Sequence, residues 1–186
     1  VAHLTDTHIQ PEKSAAAGFA AALRHAQDVG KADLILFGGD NLMCVNEKDD
    51  ARVRAQVGEW TGVLKAECSA GYASCIGNHD IRGLKAARQP NDGKELAVEL
   101  FQMPARFHAF ERFGWKFIVL DSTLPVGGGF VCQLDPEQLE WLTAELKSTP
   151  ATTPVCILSH MPILSVTHFT YDSRVKDGNL VVPGNW

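Results

Sequence analysis

Gly77-Asn78-His79-Asp80 closes the apolar run Ala73 to Ile76, and its composition decides how the rest of the chain is read. Turn chemistry accounts for Gly77 and Asn78 but gives no reason for His79. Three other polar clusters stand at equivalent places. Asp6-Thr7-His8 follows Val1 to Leu4, Gly39-Asp40-Asn41 follows Leu34 to Phe37, and His160 follows Val155 to Leu158. Each apolar run reads as a strand, so four strand ends present metal-ligand chemistry. In an α/β sheet the loops beyond the strand carboxyl ends converge on one crevice, where ligands scattered along the sequence meet. The pattern predicts a binuclear metal hydrolase.

The residue types fit that chemistry. Asp6 and His8 are two positions apart, so in an extended segment both side chains leave one face and can grip one ion. The Asp40 carboxylate has two oxygens and can bridge two cations. Asn78 offers an amide oxygen and His160 an imidazole nitrogen, a mixed donor set that suits Mn, Fe or Zn better than Mg or Ca. Two divalent or mixed-valence ions roughly 3.5–4 Å apart clamp a phosphate and lower the pKa of a bound water. Two such ions bring about four positive charges against the two carboxylates, so the site attracts an anion. The chain as a whole has a formal charge of −5. That balance gives no nucleic-acid signal and favours a small phosphorylated substrate.

With these motifs in order from Asp6 to His160, the chain resembles the calcineurin-like metallophosphoesterase superfamily, and within it the bacterial cyclic-nucleotide phosphodiesterase-like branch. The resemblance implies a layered α/β sandwich of two mixed β-sheets flanked by helices, with the metals at the strand ends. It implies that Asp6, His8 and Asp40 hold one metal and that Asp40, Asn78 and His160 hold the other. It further implies that His79 is the general acid or phosphate-binding cation and that Asp80 stands behind it as its orienting partner. The reaction implied is phosphoester hydrolysis with a metal-bridging hydroxide as nucleophile, a phosphodiester first and a phosphomonoester second. The rival reading is a non-catalytic protein-interaction module on the same fold.

One family element is missing. A Gly-His-x-His normally closes the site with one further imidazole per metal, and His168, the one histidine after His160, has neither the glycine nor a second histidine beside it. Residues 1–186 are therefore expected to be a single domain that is incomplete at both ends, with the motif lying beyond Trp186.

The 186 residues suffice for the core of one domain. No apolar run approaches the roughly 20 residues that span a bilayer, and no signal-peptide pattern opens the chain. The five cysteines, Cys44, Cys68, Cys75, Cys132 and Cys156, form no Cys-x-x-Cys pair, a usage that favours reduced thiols and the cytoplasm.

Along the chain, Ala15 to Val29 reads as a helix ended by Gly30, Asp50 to Glu67 as an amphipathic helix carrying Val53, Val57, Trp60 and Leu64, and Glu95 to Gln102 as a short one. Phe107 to Arg112 and Trp115 to Leu120 read as paired strands around Phe113-Gly114, and Phe130 to Leu134 as another. Asp135-Pro136-Glu137-Gln138 is a helix start, with Asp135 as N-cap and Gln138 closing a capping box. Leu139, Leu142 and Leu146 are expected to form the buried face of that helix. Met161 to Trp186 reads as a long surface loop; the resemblance implies that it borders the site, and Phe169 and Tyr171 are expected to pack against the domain, with substrate contact the alternative.

Overall fold

The computed structural model describes residues 1–162 together with 175–176 and 179–180. Three parallel strands form the first sheet: β1 (Ala2–Leu4), β2 (Leu34–Phe37) and β3 (Gly71–Ser74), in the order β1-β2-β3. All four residues of β2 are buried, as befits a central parallel strand covered on both faces. Helix α1 (Ala15–Arg24) links β1 to β2, and helix α2 (Asp50–Glu67) links β2 to β3. Asp49 caps α2 by accepting the Ala51 N–H at 2.8 Å.

The helix expected over Ala15 to Val29 changes character at its end. Residues His25–Val29 form a π-helical turn in which Gly30 N–H bonds His25 O at 3.0 Å. The wide turn brings the Gln27 amide to Glu67 O, Ser69 N and Ala70 N. One side chain thus ties the end of α1 to the entry of β3.

The second sheet is mixed. Helix α3 (Glu95–Leu100) precedes β4 (His108–Arg112) and β5 (Trp115–Val119), which pair antiparallel. A hairpin of β6 (Thr123–Val126) and β7 (Gly129–Cys132) follows, then helix α4 (Pro136–Ser148) and β8 (Val155–Leu158), which lies parallel to β5. The short pair β9 (Val175–Lys176) and β10 (Asn179–Leu180) is antiparallel. Phe117, Val119 and Leu158 from this sheet share one core with Ile35, Phe37 and Trp60. Phe19, Phe37 and Phe101 surround Trp60, with ring centroids at 4.8, 4.9 and 5.5 Å. The layered α/β architecture expected from the sequence is the one observed.

Helix α4 corrects two expectations. Asp135 caps it through Gln138 N–H at 3.2 Å, but the Gln138 amide does not return to the cap; it bonds both Asp121 N and Asp121 O at 2.8 Å. Gln138 is fully buried, and that fixes the inward face. Leu139, next along the chain and roughly 100° round the helix, is exposed, and so is Leu146. The inward side holds half-buried Leu142, as expected, together with Trp141 on Phe107 and Glu145 on Lys116.

Candidate metal centre

The strands deliver their polar ends to one place. Leu4, Phe37 and Ser74 lie side by side in register, so the loops that follow them leave the same edge of the sheet. Backbone bonds then hold the first two loops together: Asp6 N–H to Gly39 O, His8 N–H to Asp40 O and Ile9 N–H to Asn41 O, at 2.9–3.1 Å. The loops bend sharply to do this. Asp6, His8 and Asp40 sit at φ of 53°, 44° and 50°, a left-handed region that costs L-residues roughly 1–2 kcal/mol each.

Asp40 is the centre of the arrangement. Its side chain is 6% exposed, and its two oxygens face different partners. Oδ2 lies 3.8 Å from His8 Nε2 and 4.0 Å from His79 Nε2. Oδ1 lies 3.4 Å from His160 Nε2 and accepts His79 N–H at 2.8 Å. Asp6 Oδ1 is 3.8 Å from His8 Nε2, and Asn78 Oδ1 is 3.2 Å from His160 Nε2. Two groups result, His8 with Asp40 and His79, and Asp6 with Asp40 and His160, each able to bring its ligand atoms within 4.8 Å of one another. All five metal-ligand candidates, Asp6, His8, Asp40, Asn78 and His160, therefore meet, and His79 stands among them.

These separations fit a cation. Donor pairs 3.4–4.0 Å apart are too distant for good hydrogen bonds. They suit two atoms that each bind a common ion at about 2.0–2.2 Å. Among the described residues, His8 Nδ1 is buried with no partner and its Nε2 faces the two carboxylates, so neither ring nitrogen has a hydrogen bond there to satisfy it.

Backbone carbonyls orient the other two imidazoles. His160 Nδ1 meets Gly38 O at 2.8 Å, and His79 Nδ1 meets Met43 O. Donating through Nδ1 leaves the Nε2 lone pair of each ring directed at Asp40. Close approach also restricts the glycines. A Cβ on Gly77 would fall 2.1 Å from Asp40 Oδ1, and one on Gly39 would fall 2.7 Å from His160 Nδ1.

Asp80 corrects an expectation. The contact that orients His79 comes from Met43 O, while the Asp80 carboxylate accepts backbone N–H groups from Gly77 at 3.0 Å, Leu42 at 3.1 Å and Asn41 at 3.4 Å. It clamps the Asp40 loop onto the Asn78 loop. Burial lifts its pKa to about 6 against the pull of those three N–H groups. Met43 and Gly38 carried no sequence signal, because each acts through a carbonyl that any residue supplies. His168, Phe169 and Tyr171 lie outside the described residues.

The sequence profile of the calcineurin-like phosphoesterases matches residues 1–183. A dimetal phosphatase from Danio rerio shares the fold at a TM-score of 0.61 and 15% identity, over 87% of this chain and 69% of that one. Sequence comparison with curated proteins finds no match. No described helix is long and apolar enough to cross a membrane. The chain belongs to the calcineurin-like phosphoesterase family, whose chemistry is metal-dependent hydrolysis of phosphoesters.

Proposed function

We propose that this chain hydrolyses a small phosphodiester, and a phosphomonoester more slowly, at a centre where Asp6, His8, Asp40, Asn78 and His160 hold two cations. The observation that carries the reading is the division of Asp40, with Oδ2 toward His8 and Oδ1 toward His160. A carboxylate so placed bridges two positions. The zebrafish relative is a dimetal phosphatase, which supports two metals over one. Mn, Fe and Zn suit this oxygen and nitrogen donor set.

When bound, two cations supply Lewis acidity, a water of lowered pKa and neutralisation of phosphate charge. The chain's own groups do the rest. Asp40 and Asn78 set the spacing of the two positions, and Asp80 fixes the loops that carry both residues. His79 has Nδ1 occupied by Met43 O, so Nε2 is its working nitrogen. Protonated there, it binds a phosphoryl oxygen and donates the proton to the leaving alkoxide. The ring is 28% exposed, open enough to meet substrate.

The preference for diesters rests on the likeness of the Asp-x-His and Gly-Asn-His-Asp motifs to the cyclic-nucleotide phosphodiesterase-like branch. Loading the chain with Mn(II), Fe(II) or Zn(II) in turn, counting bound metal, and comparing bis(p-nitrophenyl) phosphate with p-nitrophenyl phosphate tests both parts. Two equivalents of metal and faster diester cleavage are expected. Faster monoester cleavage would reassign the substrate class, and failure to retain any of the three metals would overturn the centre.

A further inference from the structure

His160 is held through its ring by Gly38 O, Asn78 and Asp40. Its backbone is held from another direction. Met161, the next residue, donates its N–H to Ser122 Oγ at 2.9 Å. Ser122 stands just beyond the carboxyl end of β5, the strand that pairs in parallel with β8 and bonds it again through Leu120 N–H to Leu158 O at 2.9 Å. We propose that Ser122 is a positioning residue for His160, and that the buried charge network around its neighbour Asp121 fixes Ser122 for that purpose. The proposal rests on His160 being a metal ligand.

The network explains why Ser122 is a fixed acceptor. Asp121 Oδ2 accepts Lys94 Nζ at 2.5 Å and Arg106 Nη1 at 3.1 Å. Gln138 holds the Asp121 backbone on both its N–H and its C=O, and Ser122 O accepts Gln133 N–H at 3.1 Å. Lys94, Asp121, Ser122 and Gln138 are all at most 4% exposed. Burying ions usually costs more than hydrophobic packing would, so their retention suits a need for one geometry rather than for stability alone. Here the geometry preserved is that of a strand end carrying a ligand. With Ser122 absent, Met161 N–H would lose its acceptor at a buried position, and the backbone would shift to find another. The His160 ring would move with it, away from the 3.2–3.4 Å that separates Nε2 from Asn78 and Asp40.

The test is a calorimetric Mn(II) titration of the wild type, Ser122→Ala, Ser122→Thr and His160→Ala, each with a melting curve of the metal-free protein. Ser122→Ala is expected to weaken one of two Mn(II) equivalents on the order of 10-fold, the effect of losing a partner that orients a ligand, and to leave the other unchanged. Ser122→Thr, which keeps the hydroxyl, should restore the affinity. Should Ser122→Ala not fold, Ser122→Cys keeps the size with a weaker acceptor and carries the same comparison. Wild-type affinity for both equivalents in the Ala or Cys variant, or equal loss of both, overturns the role of Ser122. His160→Ala separates the two levels: if it loses one equivalent while Ser122→Ala loses none, only Ser122 falls. If His160→Ala keeps both, the assignment of His160 falls as well.

Discussion

The loops after β1 and β2 and the turn after β5 both lie at strand carboxyl ends, yet they are built in opposite ways. In the first region, Asp6, His8 and Asp40 adopt positive φ, His8 Nδ1 and both amide atoms of Asn41 are buried without partners among the described residues, and donors face carboxylates across 3.4–4.0 Å. In the second, from Trp115 to Ser159, only glycines have positive φ, and the buried charges find partners within the chain. Thr123 Oγ1 is the one buried side-chain nitrogen or oxygen there with no partner among the described residues. Strain and loosely spaced donors at one strand end, and satisfied ion pairs at another, separate the proposed metal centre from a scaffold that supplies its own charge partners. Substitutions should therefore fail differently in the two regions.

The sharpest contrast is between the two buried aspartates. Asp40→Ala removes the carboxylate proposed to serve both metal positions, so elemental analysis should find both ions lost and hydrolysis should fall to the uncatalysed background. The metal-free variant keeps the left-handed strain and leaves the His79 N–H without its acceptor but sheds a buried charge, so its stability should change by no more than about 1 kcal/mol. Asp121→Ala should do the reverse. It strands Lys94 as a buried cation left with only the Thr123 carbonyl, while Arg106 keeps Asp135 and Glu137, and is expected to cost about 3–5 kcal/mol of stability in urea unfolding. A loss of only about 1 kcal/mol, typical of surface pairs, would mean that the network relaxes and is no rigid scaffold.

Within the first region, His79 and His8 lie at nearly equal distances from Asp40 Oδ2, 4.0 and 3.8 Å, so distance alone does not divide ligand from acid. His79→Ala should keep both metals and lose roughly 10²-fold in kcat, since it removes stabilisation of the transition state without removing a ligand. Metal loss matching that of His8→Ala would make His79 a ligand.

Much of this division could be read from residues alone, and the reason is periodicity. The runs Leu34 to Phe37 and Val155 to Leu158 are apolar enough to mark strands, and each is followed within three residues by a side chain of metal-ligand type. The scaffold was harder to read. Lys94, Arg106, Asp121 and Asp135 are far apart in sequence, and isolated charges read as surface until the fold brings them together. Helix α4 misled for the same reason: its leucines repeat at helical spacing, but Gln138 has the partner that selects the inward face. The role of Asp80 stayed hidden because its partners are backbone N–H groups, which leave no mark on a sequence.

The smallest effects ask whether positive φ is itself functional, since Phe113 at φ 56° shows that it also occurs away from the site. His8→Gly relieves a left-handed conformation worth roughly 1–2 kcal/mol and pays back about 0.5–1 kcal/mol in glycine's chain entropy. The metal-free protein should gain on the order of 1 kcal/mol by chemical denaturation while losing affinity for one ion. Phe113 and Gly114, at φ 56° and 75°, form the two-residue turn between β4 and β5, a type I′ geometry that favours Asn-Gly. Phe113→Asn relieves similar strain but gives up the Arg112 guanidinium over the ring, worth about 0.5 kcal/mol where exposed. The balance is a gain of about 0.5 kcal/mol with metal binding untouched. If both substitutions stabilise and only His8→Gly loses metal, strain at the loops is the cost of placing ligands. If His8→Gly destabilises the metal-free protein, the His8 ring contributes packing, and the bent loop is held by ordinary structure rather than kept for an ion.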